Sequence, residues 1–143
     1  MKIKLIDFGG TPPQRAHFND AGADVFASIK EGEELILPPH KVTKVPLGIG
    51  IELPDGFVAF VAPRSGLSSK HGLTTELVPI DSGYRGEIHA IVYNASDKYV
   101  TIKDGYKIAQ LVIVPTILAT FQYEEEKQRG TSGFGSTGDT KWK

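Results

Sequence analysis

The sequence predicts an all-β domain, a sandwich or barrel of short strands. Three observations carry that expectation. Short runs rich in Val, Ile and aromatic residues dominate the chain. Pro-Pro, Pro-Asp-Gly, Ser-Gly-Tyr and Asp-Gly turn signals lie between them. The runs recur at roughly 8–12-residue intervals, the spacing of sandwiches and barrels. The chain has 143 residues, which suits one domain. A chain of that size buries roughly 68–70% of its unfolded surface, enough for one substantial core.

In chain order the expected strands are KIKLI (2–6), ELIL (34–37), VTKVPLGIGIEL (42–53), FVAFVA (57–62), EIHAIVYN (87–94), YVTI (99–102) and KIAQLVIVP (107–115). Within 87–94, Ile88, Ala90 and Val92 fall on one face, as the two-residue period of a strand requires. Only Leu67 to His71 reads as helical, and for one or two turns at most. No internal repeat is present. Composition shifts after Tyr123, to EEEKQ and then the Gly-rich RGTSGFGSTGDTKWK. Residues 1–123 are therefore read as the folded body and 124–143 as a flexible C-terminal arm.

Lys plus Arg is 16 and Asp plus Glu is 17, a net charge of −1. That balance argues against direct nucleic-acid binding, which needs a basic face. Without cysteine there are neither disulfides nor thiolate zinc sites. MKIKLIDFGG lacks the apolar run of a signal peptide, and no segment approaches the ~20 apolar residues of a membrane span. The expectation is a cytoplasmic protein with no membrane association, or a nuclear or viral one if the source is not bacterial.

Four stretches carry side chains suited to chemistry, and each has a plainer reading beside it. In DAGADVFAS (20–28), Asp24 is either a functional carboxylate or the turn former at the entry to a strand. In APRSGLSSKHG (62–72), Arg64 and Lys70 flank hydroxyls, a Gly66 bend and the start of a short helix; this is an anion cradle or a capped surface turn. VPIDSGYRGEIHAIVYN (78–94) reads as a β-hairpin with Asp81 and Tyr84 at its tip. The hairpin either presents backbone N–H and C=O to a small planar ligand, or it is plain and Asp81 caps the Ser82-Gly83 turn. In the arm, Gly130, Gly133, Gly135 and Gly138 allow the backbone to wrap closely, Arg129 suits phosphate and Phe134 suits a base; composition alone describes a solvated end. Phosphate donors, a carboxylate able to orient water and an aromatic ring together describe a nucleotide site.

The order AGADVFA, PRSGLSSKHG, VPIDSGYRGEI, YKIAQL and RGTSGFGSTG resembles the five motifs of homotrimeric dUTPases, from residue 21 to 138. PRSGL, IDxxYRG and RGxxGFGSTG are the specific ones. The resemblance implies a distorted jelly-roll-like β-barrel subunit and a homotrimer with three sites at subunit boundaries, each closed by the arm of a distant chain. It implies hydrolysis of dUTP to dUMP and pyrophosphate with Mg²⁺, keeping uracil out of DNA and supplying dUMP for thymidylate synthesis. Asp81 would be the general base on the attacking water. Asp24 would act on the metal through its waters. Arg64, Ser65, Gly66 and Gln110 would hold the phosphates, Arg129 the γ-phosphate, with Ser136 and Thr137 as further donors. Phe134 would cover the uracil, with Gly135 letting the backbone approach. Backbone groups around Val78 and His89 would read the uracil, and Tyr84 would pack against the deoxyribose.

The chain departs from the family pattern at Val78 and His89, where glycine occurs, at Ser132, and at Tyr106-Lys107, where Asp-Arg is usual. Lys107 keeps the charge without the bidentate fork. Because backbone atoms would do the reading at 78 and 89, larger side chains that point away are expected to be harmless. A dCTP deaminase would need a proton-shuttling Glu in the pyrimidine pocket, for which Glu76 and Glu87 are nearby. A binding module is a second alternative: some relatives, especially from phages, bind regulatory proteins, and such a partner is expected here if the source is a phage. A non-catalytic jelly roll is a third. His17, His40 and His71 are read as surface residues.

Deleting residues 129–143 is expected to preserve fold and assembly while removing most dUTP turnover. Size-exclusion chromatography and a pyrophosphate-release assay on the truncated chain check this, and unchanged turnover would reduce the arm to a mere tail.

Overall fold

The computed structural model describes residues 1–125. Eleven strands and one five-residue helix form in this order: β1 Lys4–Asp7, β2 Gly22–Phe26, β3 Leu35–Leu37, β4 Val42–Pro46, β5 Ile49–Glu52, β6 Phe57–Ala62, α1 Leu67–His71, β7 Leu73–Thr75, β8 Val78–Ile80, β9 His89–Asn94, β10 Val100–Ile102 and β11 Lys107–Pro115. All ladders are antiparallel. They form a four-stranded sheet β2-β11-β6-β8, a three-stranded sheet β4-β9-β7, and the pairs β1-β5 and β10-β3. The all-β, jelly-roll-like expectation holds. Among the described residues the ladders stay as four open sheets rather than one closed barrel.

Alternation decides the core. Ile88 is 2% exposed, and Ala90 and Val92 are fully buried. They join Val25, Leu37, Val45, Ile51, Val61, Leu73, Ile102 and Ile108 in one apolar cluster to which all four sheets contribute.

β2 and β7 lie outside the expected runs, and two further expectations change. The run 42–53 is not one strand but two, β4 and β5, in different sheets. The break falls at Gly48, whose φ of +69° favours glycine and whose Cβ would lie 2.4 Å from Gly10 Cα and 2.5 Å from Ser28 Oγ. Nor is 78–94 a paired hairpin. β8 pairs only with β6, through Val78–Val61 and Ile80–Ala59, whereas β9 pairs with β4 and β7. Pro79, at the centre of β8, has no N–H to give a ladder and suits an edge strand. The two legs therefore part and leave a cleft between them.

Asn94 continues the inward face of β9 and is fully buried. Its amide donates to the carbonyls of Leu37 (2.9 Å) and Lys98 (2.7 Å), and its oxygen accepts from Ser96 N–H (3.0 Å) and Oγ (2.7 Å). This ties β9 to β3 and to the 94–98 turn. Past β11, Thr116 N–H reaches the Gly56 carbonyl at 2.9 Å, after which Ile117, Leu118, Phe121 and Tyr123 are largely exposed.

Asn94→Ala would strand several polar groups around a buried site, at a cost of about 3 kcal/mol. Urea unfolding, followed to its midpoint with unchanged slope, checks this.

Candidate active site

Motif residues from three strands meet at one end of the four-stranded sheet. Asp24 on β2 stands opposite Gln110 on β11, and Gln110 stands opposite Ala62 at the end of β6. The Asp24 side chain, 19% exposed, lies with Oδ1 3.4 Å from Arg64 Nε and Oδ2 3.7 Å from Lys107 Nζ. Asp24 is thus an ion-paired carboxylate rather than a turn former. Gln110 donates its amide to the Pro63 carbonyl at 2.8 Å. Its side chain lies over Gly22, where a Cβ would fall 2.0 Å from Gln110 Oε1.

Next to this cluster is a cavity of about 270 Å³ lined by Arg64, Ser65, Gly66, Lys70, His71 and Lys107. Gly66 sits at φ +91°, turning the chain into α1, which Leu67 anchors in the core. Three cations against the single Asp24 carboxylate make the cavity suitable for an anion bearing several charges. The Tyr106-Lys107 departure is resolved by position. Tyr106 packs edge-on against His71, with centroids 5.9 Å apart, and Lys107 supplies a point charge to the cradle. His71 is exposed as expected, yet lines the cradle. In the sequence Lys107 has one signal, its place immediately before the Ile-Ala-Gln run.

The cleft between β8 and β9 measures about 240 Å³, and its lining includes Lys44, Val78, Asp81, Tyr84, Glu87 and His89. Ile88 spends both backbone groups on the other side: its N–H donates to Ile49 O (2.8 Å) and its C=O accepts from Leu47 N–H (3.0 Å). Backbone direction alternates along a strand, so the N–H and C=O of His89 turn toward the cleft. β7 pairs with β9 from Val92 onward, and beyond the Glu76 N–H bond to the Ile91 carbonyl (2.8 Å) that edge is open. The His89 ring lies beside the cleft, with Nδ1 3.2 Å from the Glu87 carbonyl.

Asp81 is exposed at the cleft mouth. Its backbone carbonyl accepts Tyr84 N–H at 3.1 Å, closing the turn, while Ser82 Oγ donates to Asp55 at 2.9 Å. The Asp81 carboxylate caps nothing and has no hydrogen-bond or ionic partner among the described residues. Tyr84 is 46% exposed and donates its hydroxyl to the Glu87 carbonyl at 2.7 Å.

Cradle and cleft share no lining residue. Because Ile80 stands opposite Ala59, Asp81 lies past it, away from the Arg64 end of β6. Five or six residues of strand separate them, about 15–20 Å at ~3.3 Å per residue. One chain therefore gathers Asp24, Arg64, Ser65, Gly66 and Gln110 in one place, and Val78, Asp81, Tyr84 and His89 in another. Arg129, Phe134, Gly135, Ser136 and Thr137 lie outside the described residues. Among the described residues no group of three or more His, Asp or Glu side chains is placed to hold a metal ion by itself.

The family model for dUTPase matches residues 10–138. A deoxyuridine 5'-triphosphate nucleotidohydrolase of Clostridium tetani is 44% identical over 143 residues, covering 96% of each chain. The dUTPase from phage phi11 of S. aureus superposes with a TM-score of 0.79 at 26% identity, covering 90% of this chain and 99% of that one. A mutant of the same phage dUTPase, described as coordinating a structural Mg(II) ion, superposes at 0.77 with 27% identity, covering 88% and 98%.

Gly22→Ala would displace the Gln110 amide from its place beside the cradle and weaken tripolyphosphate binding about tenfold, the scale of one hydrogen bond to a charged group. Stability should change by less than about 1 kcal/mol. Titration calorimetry and thermal unfolding separate the two effects.

Proposed function

The chain belongs to the dUTPase family, and on that premise we propose that it is a dUTP diphosphatase whose active site is completed by a second and a third copy of the chain. The observation that carries this reading is the separation within one chain of a cationic cradle and a cleft bearing an unpartnered carboxylate. A homotrimer joining the cradle of one copy to the cleft of another supplies both halves. The exposed Ile117, Leu118, Phe121 and Tyr123 fit the same reading, since a partner subunit would cover them.

In this mechanism uracil enters the cleft and meets the His89 backbone groups beside Val78. Cytosine inverts the donor and acceptor pattern at its 4-position and would leave buried groups unpaired, worth ~10⁴–10⁵ in discrimination. Tyr84 lies against the deoxyribose and leaves no room for a 2′-hydroxyl. The triphosphate lies in the cradle on Arg64, Ser65, Gly66 and Gln110, with Lys107 adding charge. Asp81 takes a proton from a water whose oxygen bonds the α-phosphorus, while the bond from that phosphorus to the α–β bridging oxygen breaks and pyrophosphate leaves. The arm adds Arg129 at the γ-phosphate, Ser136 and Thr137 as donors, and Phe134 with Gly135 over the base; closure excludes water.

The donor set fits Mg²⁺ carried on phosphate oxygens. The Asp24 carboxylate, already facing two cations, would reach the ion through water rather than cage it, in keeping with the hydration Mg²⁺ retains. Bound there, Mg²⁺ neutralises phosphate charge. Deamination is less well served. Glu87, the glutamate lining the cleft, directs Oε2 to Gly48 N–H at 2.8 Å.

Asp81→Asn should lower dUTP hydrolysis about 10²–10⁴-fold, the span of a general base, with nucleotide binding retained. Mixing unfolded Asp81→Asn and Arg64→Ala chains and refolding them together should restore about a quarter of the activity, because each composite site draws its two halves at random. No recovery would place both halves in one chain and sink the composite site. Absence of dUTP turnover by the native trimer would sink the function.

A further inference from the structure

Tyr84 would be a poor judge of sugar chemistry if its ring were free. Half-exposed, it is not fixed by core packing. Its pose comes from two near neighbours in sequence, Gly86 and Glu87. The hydroxyl folds back to the carbonyl of Glu87, three residues on, at 2.7 Å. The ring thereby lies over Gly86, where a Cβ would fall 2.6 Å from Tyr84 Oη, 2.8 Å from Cζ and 3.1 Å from Cε1. Gly86 does not have a left-handed φ, so the ring, not the backbone, calls for glycine there.

Glu87 is itself held from below. Its carboxylate accepts the N–H of Gly48 at 2.8 Å, across 39 residues of sequence. Gly48 is walled in by Gly10 and Ser28, and so is a fixed post. The next residue, Ile88, is bound through both backbone groups to Leu47 and Ile49. The Glu87 carbonyl also meets His89 Nδ1 at 3.2 Å.

We propose that Gly86 and Glu87 are specificity-determining positions that fix the Tyr84 ring, and through it the exclusion of ribonucleotides. They are positioning residues, acting on substrate only through Tyr84. This deepens the dUTP reading and rests on it.

The test compares kcat/KM for dUTP and UTP in the native protein and in Tyr84→Phe, Gly86→Ala, Glu87→Ala and Glu87→Gln. Tyr84→Phe, Gly86→Ala and Glu87→Ala should each narrow the dUTP-to-UTP preference about tenfold, the scale of one lost anchoring hydrogen bond. Glu87→Gln, whose amide oxygen still accepts from Gly48, should recover most of it. Tyr84→Phe combined with Glu87→Ala should narrow the preference no further than either alone, because both act on one contact. A merely structural role would lower the unfolding midpoint and leave the preference intact. If Glu87→Ala does not fold, Gly86→Ala alone and combined with Tyr84→Phe carries the same comparison. An unchanged preference in a folded variant, or additive losses in the double variant, overturns the inference while dUTP turnover by the native protein stands. Absence of that turnover overturns the functional reading instead.

Discussion

At Gly48 the chain turns through φ +69° against the backbone of Gly10, and Ile88 hydrogen-bonds to the residues on both sides of the turn. Much of the architecture follows from that junction. It sends β4 to the sheet of β9 and β5 to β1, so that one apolar run serves two sheets. It occupies the far side of Ile88 and thereby faces His89 into the cleft. It also gives the Glu87 carboxylate a backbone N–H to hold. A side chain at position 48 would have to displace Gly10, and the disturbance would pass to sheet packing and cleft wall together.

The second organising element is β11, paired along both edges, with β2 and with β6. Its register sets Gln110 between Asp24 and Ala62. That brings a carboxylate, an amide and the Arg64 turn to one sheet end although they lie far apart in sequence. The half-buried Asp24 between Arg64 and Lys107 keeps those cations oriented toward the cradle instead of dispersed in solvent. Attraction between such groups is stronger where water is partly excluded than at an open surface.

Cradle and cleft lie at different stations along β6, and a strand is stiff. No side-chain rotation closes about 15–20 Å of β-strand. A chain with this topology presents cradle and cleft as two separate stations, which the proposed homotrimer would join across each subunit contact.

Strand positions were legible wherever a face repeats every second residue, as at Ile88, Ala90 and Val92, and the five motifs are read directly from the order of residues in the chain. The break at Gly48 was not legible, because glycine within an apolar run signals a bend only when a neighbour such as Gly10 comes close enough to forbid a Cβ. The opened legs of 78–94 were equally hidden, although Pro79 was in plain view, because pairing is chosen by which edges are free. Lys107 reads in sequence as an arginine without its fork, and only the register of β11 sets it beside Asp24. Residue order alone was enough for the all-β class, most of the strands, the short helix and the identity of the chemical groups, but not for β2 and β7, which lie outside the expected runs. Tertiary structure alone decided which of them meet, because ladder register and the spacing along β6 are set by contacts between residues distant in the chain.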